Sequence, residues 1–342
     1  MLKLNILKSE EYSGLKAASI IFRFIILYAG TTTLLFYILQ DYGYNINILH
    51  VLAILFTLFL IDKIASIASK TIEVYAEGRG IVFEQDIKYF FTYLIWSSII
   101  YLSLILTPIH EMPHMVYFIT IPAIWFLIRG FKSNIQFNLS FIKWLILALI
   151  FYTIIYFFPI IAFFIPVILL FVCYLYLKHI RYYRYLIISL LIAIGIIAFN
   201  IAFIEYKPWT VNLVGSIAFY DMLLWSSFEE LYSRAVIPFL GLGLPNYIFI
   251  ILHFPKTLYS LVMLFDDIFI FIITSIIIVS ILAVVTMFIA FAWIESGIIG
   301  SWLTHAIYNT IVVLSIIYGM NFMTILALIP FAIVPLLKRK GL

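Results

Sequence analysis

Apolar residues in this chain run on for the width of a bilayer, give way to a few polar positions, and then resume. A helix crosses the hydrocarbon with roughly twenty residues. Runs of that order lie near 17–40, 46–62, 88–107, 113–128, 141–158, 160–177, 185–204, 211–235, 246–264, 268–294, 298–318 and 322–337. Backbone in lipid must satisfy its own hydrogen bonds, and no strand-and-turn alternation of the barrel type is present. The pattern therefore predicts an all-α fold, a polytopic transmembrane helical bundle of about twelve spans. Two places are ambiguous. Pro159 and Pro166 allow either two spans or one long kinked helix, and Pro255 with Lys256 interrupts 246–264.

Composition agrees, with 66% hydrophobic and 11% charged residues over 342 positions. A soluble domain carries about a quarter charged residues. The +4 net charge does not point to nucleic acid, because the basic residues punctuate apolar runs instead of forming a patch. They do predict orientation. Lys63, Lys70, Arg79, Lys88, Arg129, Lys132, Lys143, Lys178, Arg181 and Arg184 fall in the loops at 63–88, 129–143 and 178–184. The alternate loops at 41–45, 108–112 and 159 carry none, and 205–210 carries only Lys207. With Lys338, Arg339 and Lys340 in the tail, both termini are expected in the cytoplasm of a multi-pass cell-membrane protein. The polar stretch 63–88 is expected to be a cytoplasmic linker, helical at the surface. The N-terminus lacks a signal-peptide layout, and the single Cys173 excludes an intrachain disulfide.

Ionisable groups are costly in hydrocarbon, so each one inside a span is a functional-site hypothesis. Three short patterns concentrate them after position 210: Glu229-Glu230 with Arg234, His253, and His305 with Asn309. Glu229 lies about six residues before the end of its span; His253 and His305 each lie about seven after the start of theirs. Since consecutive spans alternate in direction, all three reach a similar depth, roughly 10 Å below one face. Glu230 and Arg234 are four apart and share a helical face, which turns Glu229 away by about a hundred degrees. A carboxylate shielded from water suits a general base. A histidine and an amide side by side suit an oxyanion. A glutamate with two histidines equally suits zinc, in which case Glu229, His253 and His305 are the ligands; nothing in the sequence requires a cofactor.

The segments EELYSR, FIILH and IESGIIGSWLTHAIYN resemble, in order and separation, the motifs of the CPBP family of intramembrane proteases. That family includes type II CAAX prenyl endopeptidases and bacteriocin-processing proteins. The resemblance covers roughly 211–318. It divides the chain into 1–210, transmembrane helices of unassigned role, and 211–342, a CPBP-like protease core. It implies a glutamate or metallo endopeptidase acting near the cytoplasmic face. Glu229 and His253 would activate water, His305 and Asn309 would stabilise the oxyanion, and Glu230 with Arg234 would hold the site in shape. The implied partners are the lipid bilayer and a membrane-associated or prenylated peptide substrate. One departure is Ala235, where the family often has glycine.

Blander readings compete. Glu230 with Arg234 suits a structural ion pair, Glu229 a carboxyl bonded to a neighbouring helix, His253 an interfacial histidine, and His305 a bond to a backbone carbonyl. A non-proteolytic scaffold or immunity-type binding protein of the same family is the rival function. A secondary transporter is a third, weakened because no internal repeat is visible and the buried charges crowd one end. His110-Glu111-Met112-Pro113-His114 fits the His-Glu-x-x-His zinc pattern, but Pro113 denies it the helix that pattern needs. Arg23 is expected to snorkel, Asp266 and Asp267 to be solvated in a loop, and Asp221 to line the same cavity as Glu229 or to be structural.

Overall fold

The computed structural model describes residues 18–41, 45–81, 87–106, 226–264 and 267–318, with a few single positions besides. The spans expected at 113–128, 141–158, 160–177, 185–204 and 322–337 lie outside these residues, single positions apart. So do the 110–114 motif, Cys173, Asp221 and Asp266.

Among the described residues all regular elements are helical, and none is a strand. They are α1 (Ala18–Asp41), α2 (Ile48–Gly78), α3 (Ile87–Leu106), α4 (Ser226–Ser233), α5 (Ile237–Leu240), α6 (Gly243–Leu264) and α7 (Ile268–Tyr318). Three helical stretches, Ala18–Asp41, Ile48–Gly78 and Phe269–Asn309, are long and apolar enough to cross a membrane, which marks a membrane protein.

Helix ends follow from local chemistry. Asn47 opens α2 by accepting the N–H groups of Leu49 and His50 on its side-chain oxygen, at 3.0 and 3.2 Å. Asp267 opens α7 in the same way, its Oδ1 2.7 Å from the N–H of Phe269. At the far end of α2, Ile81 N–H bonds Ala76 C=O and Gly80 N–H bonds Glu77 C=O. Gly80 has φ 71°. This is a Schellman ending, with glycine in the left-handed position and Arg79 as the cap residue just past the helix.

The second span is longer than expected. Instead of ending at 62, α2 runs to Gly78 through the first half of the supposed linker. Ala65, Ala68, Ile72 and Ala76 recur at helical spacing and are buried, while Lys63 and Lys70 face outward. The segment is therefore helical, as expected, but only one side of it is surface. Pro255 does not interrupt α6, which continues through it. In α7 the break falls at Gly297, between the two spans expected at 268–294 and 298–318, with no loop separating them.

The chain forms two compact units that interleave in sequence: residues 1–69, 83–115 and 238–283, and residues 70–82, 116–237 and 284–342. Each draws on both sides of position 210. In the first unit, α1 and α6 pack on α3. Thr31 Oγ1 lies 2.6 Å from Tyr101 Oη. Residues Phe22–Gly30 of α1 are wound as a π-helix. Arg23, on this stretch, is held by partners on α2. Its Nε lies 3.2 Å from Asp62 Oδ1 and its Nη2 donates to Ser66 at 3.0 Å. Tyr28 and Tyr247 donate to the same carboxylate at 3.1 and 2.6 Å. The buried Asp62 carboxylate thus gathers one cation and two phenol donors, as a charge shielded from water requires.

The second unit holds Arg79, α4 and the part of α7 from residue 284. Val285 and Ile289 form an apolar core there, with Phe288 and Tyr308 against them.

Candidate functional site

The candidate site is built on α4 and on the stretch of α7 beyond its break. Helix α4 is short, and neighbours on a helix diverge by about a hundred degrees. Glu230 is completely buried, whereas the Glu229 side chain keeps 14% exposure. The helix stops at Ser233, two residues before the end of the expected span. A turn follows, in which the N–H groups of Arg234 and Ala235 both bond Glu230 C=O, at 2.8 and 3.1 Å. Arg234 and Ala235 are buried in this turn.

Gly297 sets up the facing element. Its φ of 73° and ψ of −167° belong to a region that essentially only glycine occupies. The backbone swings there, and a new helical stretch carries His305 and, one turn on, Asn309 on the same side. Gly300 makes a close approach in this stretch: a Cβ there would lie 2.5 Å from Ser296 Cβ and 3.0 Å from Ala292 O.

The buried His305 ring bridges the two glutamates. Its Nδ1 lies 2.9 Å from Glu230 Oε1, and its Nε2 lies 3.2 Å from Glu229 Oε2. An ionised carboxylate only accepts. Two protons must therefore be shared among the three groups. Either an imidazolium lies between two carboxylates, or a neutral ring donates to one side and accepts from a carboxylic acid on the other. With Arg234 beside them, the set is electrically neutral in either arrangement, because both hold the same two protons.

The sequence assigns Glu230 to Arg234 and Glu229 to the histidines. Glu229 does meet His305. Glu230 does face Arg234, but at 3.9 Å, too long for a hydrogen bond and a full ångström beyond its contact with His305. The separation into one structural and one reactive glutamate is thus softer than spacing suggests, since both hold the same ring. His305 bonds two acidic side chains.

His253 belongs to the other unit. Its Nδ1 lies 2.7 Å from Phe249 O, one turn earlier on α6, and the two rings pack with centroids 4.4 Å apart. A carbonyl only accepts, so Nδ1 carries the hydrogen, and in the neutral ring Nε2 bears the lone pair. Among the described residues, no group of three or more His, Cys, Asp or Glu side chains is arranged to hold a metal ion.

Sequence reasoning passed over two further charge clusters. One is Asp62 with Arg23, Tyr28 and Tyr247. The other is Glu295 with Arg79 and Tyr75. Both glutamate and aspartate announce themselves as acids in apolar runs, the same signal that singled out Glu229.

No family model, no curated protein and no solved structure matches this chain. Fold and site together define a class: a helical membrane protein with a buried carboxylate–imidazole–carboxylate cluster.

Proposed function

We propose that the protein is an intramembrane endopeptidase of the CPBP kind, hydrolysing peptide bonds of membrane-associated or lipid-modified substrates near the cytoplasmic face. The observation that carries this reading is the contact of Glu229 and Glu230 with opposite nitrogens of one buried histidine. Carboxylate-oriented imidazoles of this sort serve proton transfer. The likeness of EELYSR, FIILH and HAIYN to the family motifs supports it.

In the proposed reaction Glu230 holds the ring through Nδ1. Glu229, the more accessible acid, turns from Nε2 to a water molecule and takes its proton as the oxygen attacks the scissile carbonyl. Nε2–H of His305 and the Asn309 amide then donate to the oxyanion. Glu229 returns the proton to the leaving amine, so no proton is gained or lost. The family resemblance gives His253 a share in activating water, a role its Nε2 lone pair suits. A bundle of about twelve spans with cytoplasmic termini would place the motifs at one depth, and catalysis would need a polar path to the cytoplasm.

Cleavage of a peptide library by purified protein, wild type against Glu229→Ala, each with and without chelator, tests this. Cleavage lost in the variant is expected; equal cleavage by both would sink the mechanism. Loss on chelation with recovery on added zinc would make the enzyme a metalloprotease.

One observation favours a second reading. Both nitrogens of His305 are engaged, as they would be in a non-proteolytic scaffold of the same family. A wild-type protein that cleaves no peptide, yet unfolds readily when Glu229 is replaced, would support that alternative.

A further inference from the structure

We infer that Arg79, Tyr75 and Glu295 form a clamp that fixes the break at Gly297 and thereby positions His305 between its two glutamates. This inference rests on the proposed activity for its kinetic consequence but not for its structural one. All the residues belong to one unit.

The Glu295 carboxylate is buried, and its Oε1 receives two donors: Arg79 Nη2 at 2.8 Å and Tyr75 Oη at 2.8 Å. Arg79 also donates to Tyr75 Oη at 3.0 Å, and its guanidinium lies over that ring, 5.3 Å from the centroid. The opposite side of the clamp is apolar, with the Tyr75 ring packed on Phe291 at 4.4 Å between centroids. Phe291 and Glu295 are one turn apart on α7, so the clamp grips the last turn before the break at two points.

What it grips with is itself stiff. Arg79 caps the end of α2, its own N–H bonded to Ala76 C=O and the two Schellman bonds spanning it, and its cation sits favourably at a helix C-terminus. Glu295 stands two residues before Gly297, the one point in α7 with non-helical φ and ψ. Glycine at such a point permits the swing without determining how far it goes, because it lacks a side chain to pack. Something else must set the direction of the next helical stretch. A charged, doubly donated contact immediately upstream of the swivel fixes the platform from which that stretch departs. Arg79, Tyr75 and Glu295 touch none of the proposed reacting atoms and act through His305, which makes them positioning residues.

The test uses full-length protein labelled with ¹⁵N-histidine in lipid nanodiscs. His305→Gln identifies the His305 ring signals among the six histidines. Arg79→Gln and Glu295→Gln are expected to shift those signals and to lower kcat by about tenfold with little change in KM. Arg79→Glu combined with Glu295→Arg is expected to restore part of both. Lys70→Gln, which removes an exposed pair with Glu73 on the same helix, is expected to change neither. If Arg79→Gln fails to fold, the milder Tyr75→Phe and Arg79→Lys decide the matter through smaller shifts of the same signals. Unmoved His305 signals in folded clamp variants would overturn the clamp, whatever the enzyme cleaves. Shifted signals in a protein whose wild type cleaves nothing would leave the clamp standing and remove the protease reading instead.

Discussion

Two acids compete for the hydrogens of one imidazole, and the two are not equivalent. Glu230 is sealed from solvent beside Arg234, while Glu229 keeps some exposure. Glu229→Gln removes the proposed base, and peptide cleavage is expected to fall by about 10²–10⁴-fold. Glu230→Gln keeps an oxygen that accepts from Nδ1–H and removes only charge, so a smaller fall, about tenfold, is expected in the same assay. The reverse order of these losses would exchange the roles of the two glutamates. Arg234→Met leaves the buried acids without their guanidinium. It is expected to cost about 3 kcal/mol or more, read as a lower unfolding temperature in detergent. Spacing made Glu229, Glu230 and His305 legible in the sequence. It did not reveal that His305 would draw Glu230 closer than Arg234 does, because that depends on how a second helix approaches.

Among the elements, α7 concentrates the most testable detail. Gly297→Ala places a Cβ in a region closed to side chains, at a cost of about 1–3 kcal/mol. Gly300→Ala drives its methyl into Ser296. Adding Ser296→Gly to the latter variant is expected to recover part of the lost stability, since the Cβ at 2.5 Å is removed and only the Ala292 carbonyl at 3.0 Å remains. Thermal unfolding of the single and double variants checks both statements. The break itself was readable as the gap between two apolar runs. That it is a swivel without a loop was not, because a single glycine and a short loop look alike in hydropathy. The length of α2 is a related case. Lys63 and Lys70 mark the segment as a surface helix, whereas Ala65, Ala68, Ile72 and Ala76 bury one side of it as a helical stripe.

For the molecule as a whole, the apolar runs declared a helical membrane protein before any contact was known, and three helices of spanning length bear that out. Hydropathy could not say which charges would find each other. Arg23 and Asp62 are thirty-nine positions apart in sequence, and Tyr247 is far beyond both. Asp62→Ala is expected to cost about 3 kcal/mol or more by stranding the guanidinium, measured as a lower unfolding temperature; Asp62→Ala with Arg23→Leu is expected to recover most of it. A melting temperature equal to that of wild type in the single variant would show the pair to be dispensable.

That pair also has a history within each molecule's synthesis. The ribosome makes the cation first, the anion later and the tyrosine that completes the set later still. Until Asp62 follows it, the nascent first helix carries Arg23 alone, a handicap of about 3 kcal/mol at the centre of a span and less toward its end. The apolar residues of α1 outweigh that handicap, but the arrival of α2 with Asp62 removes it, so α1 should insert more completely when α2 follows than when the chain is cut before it.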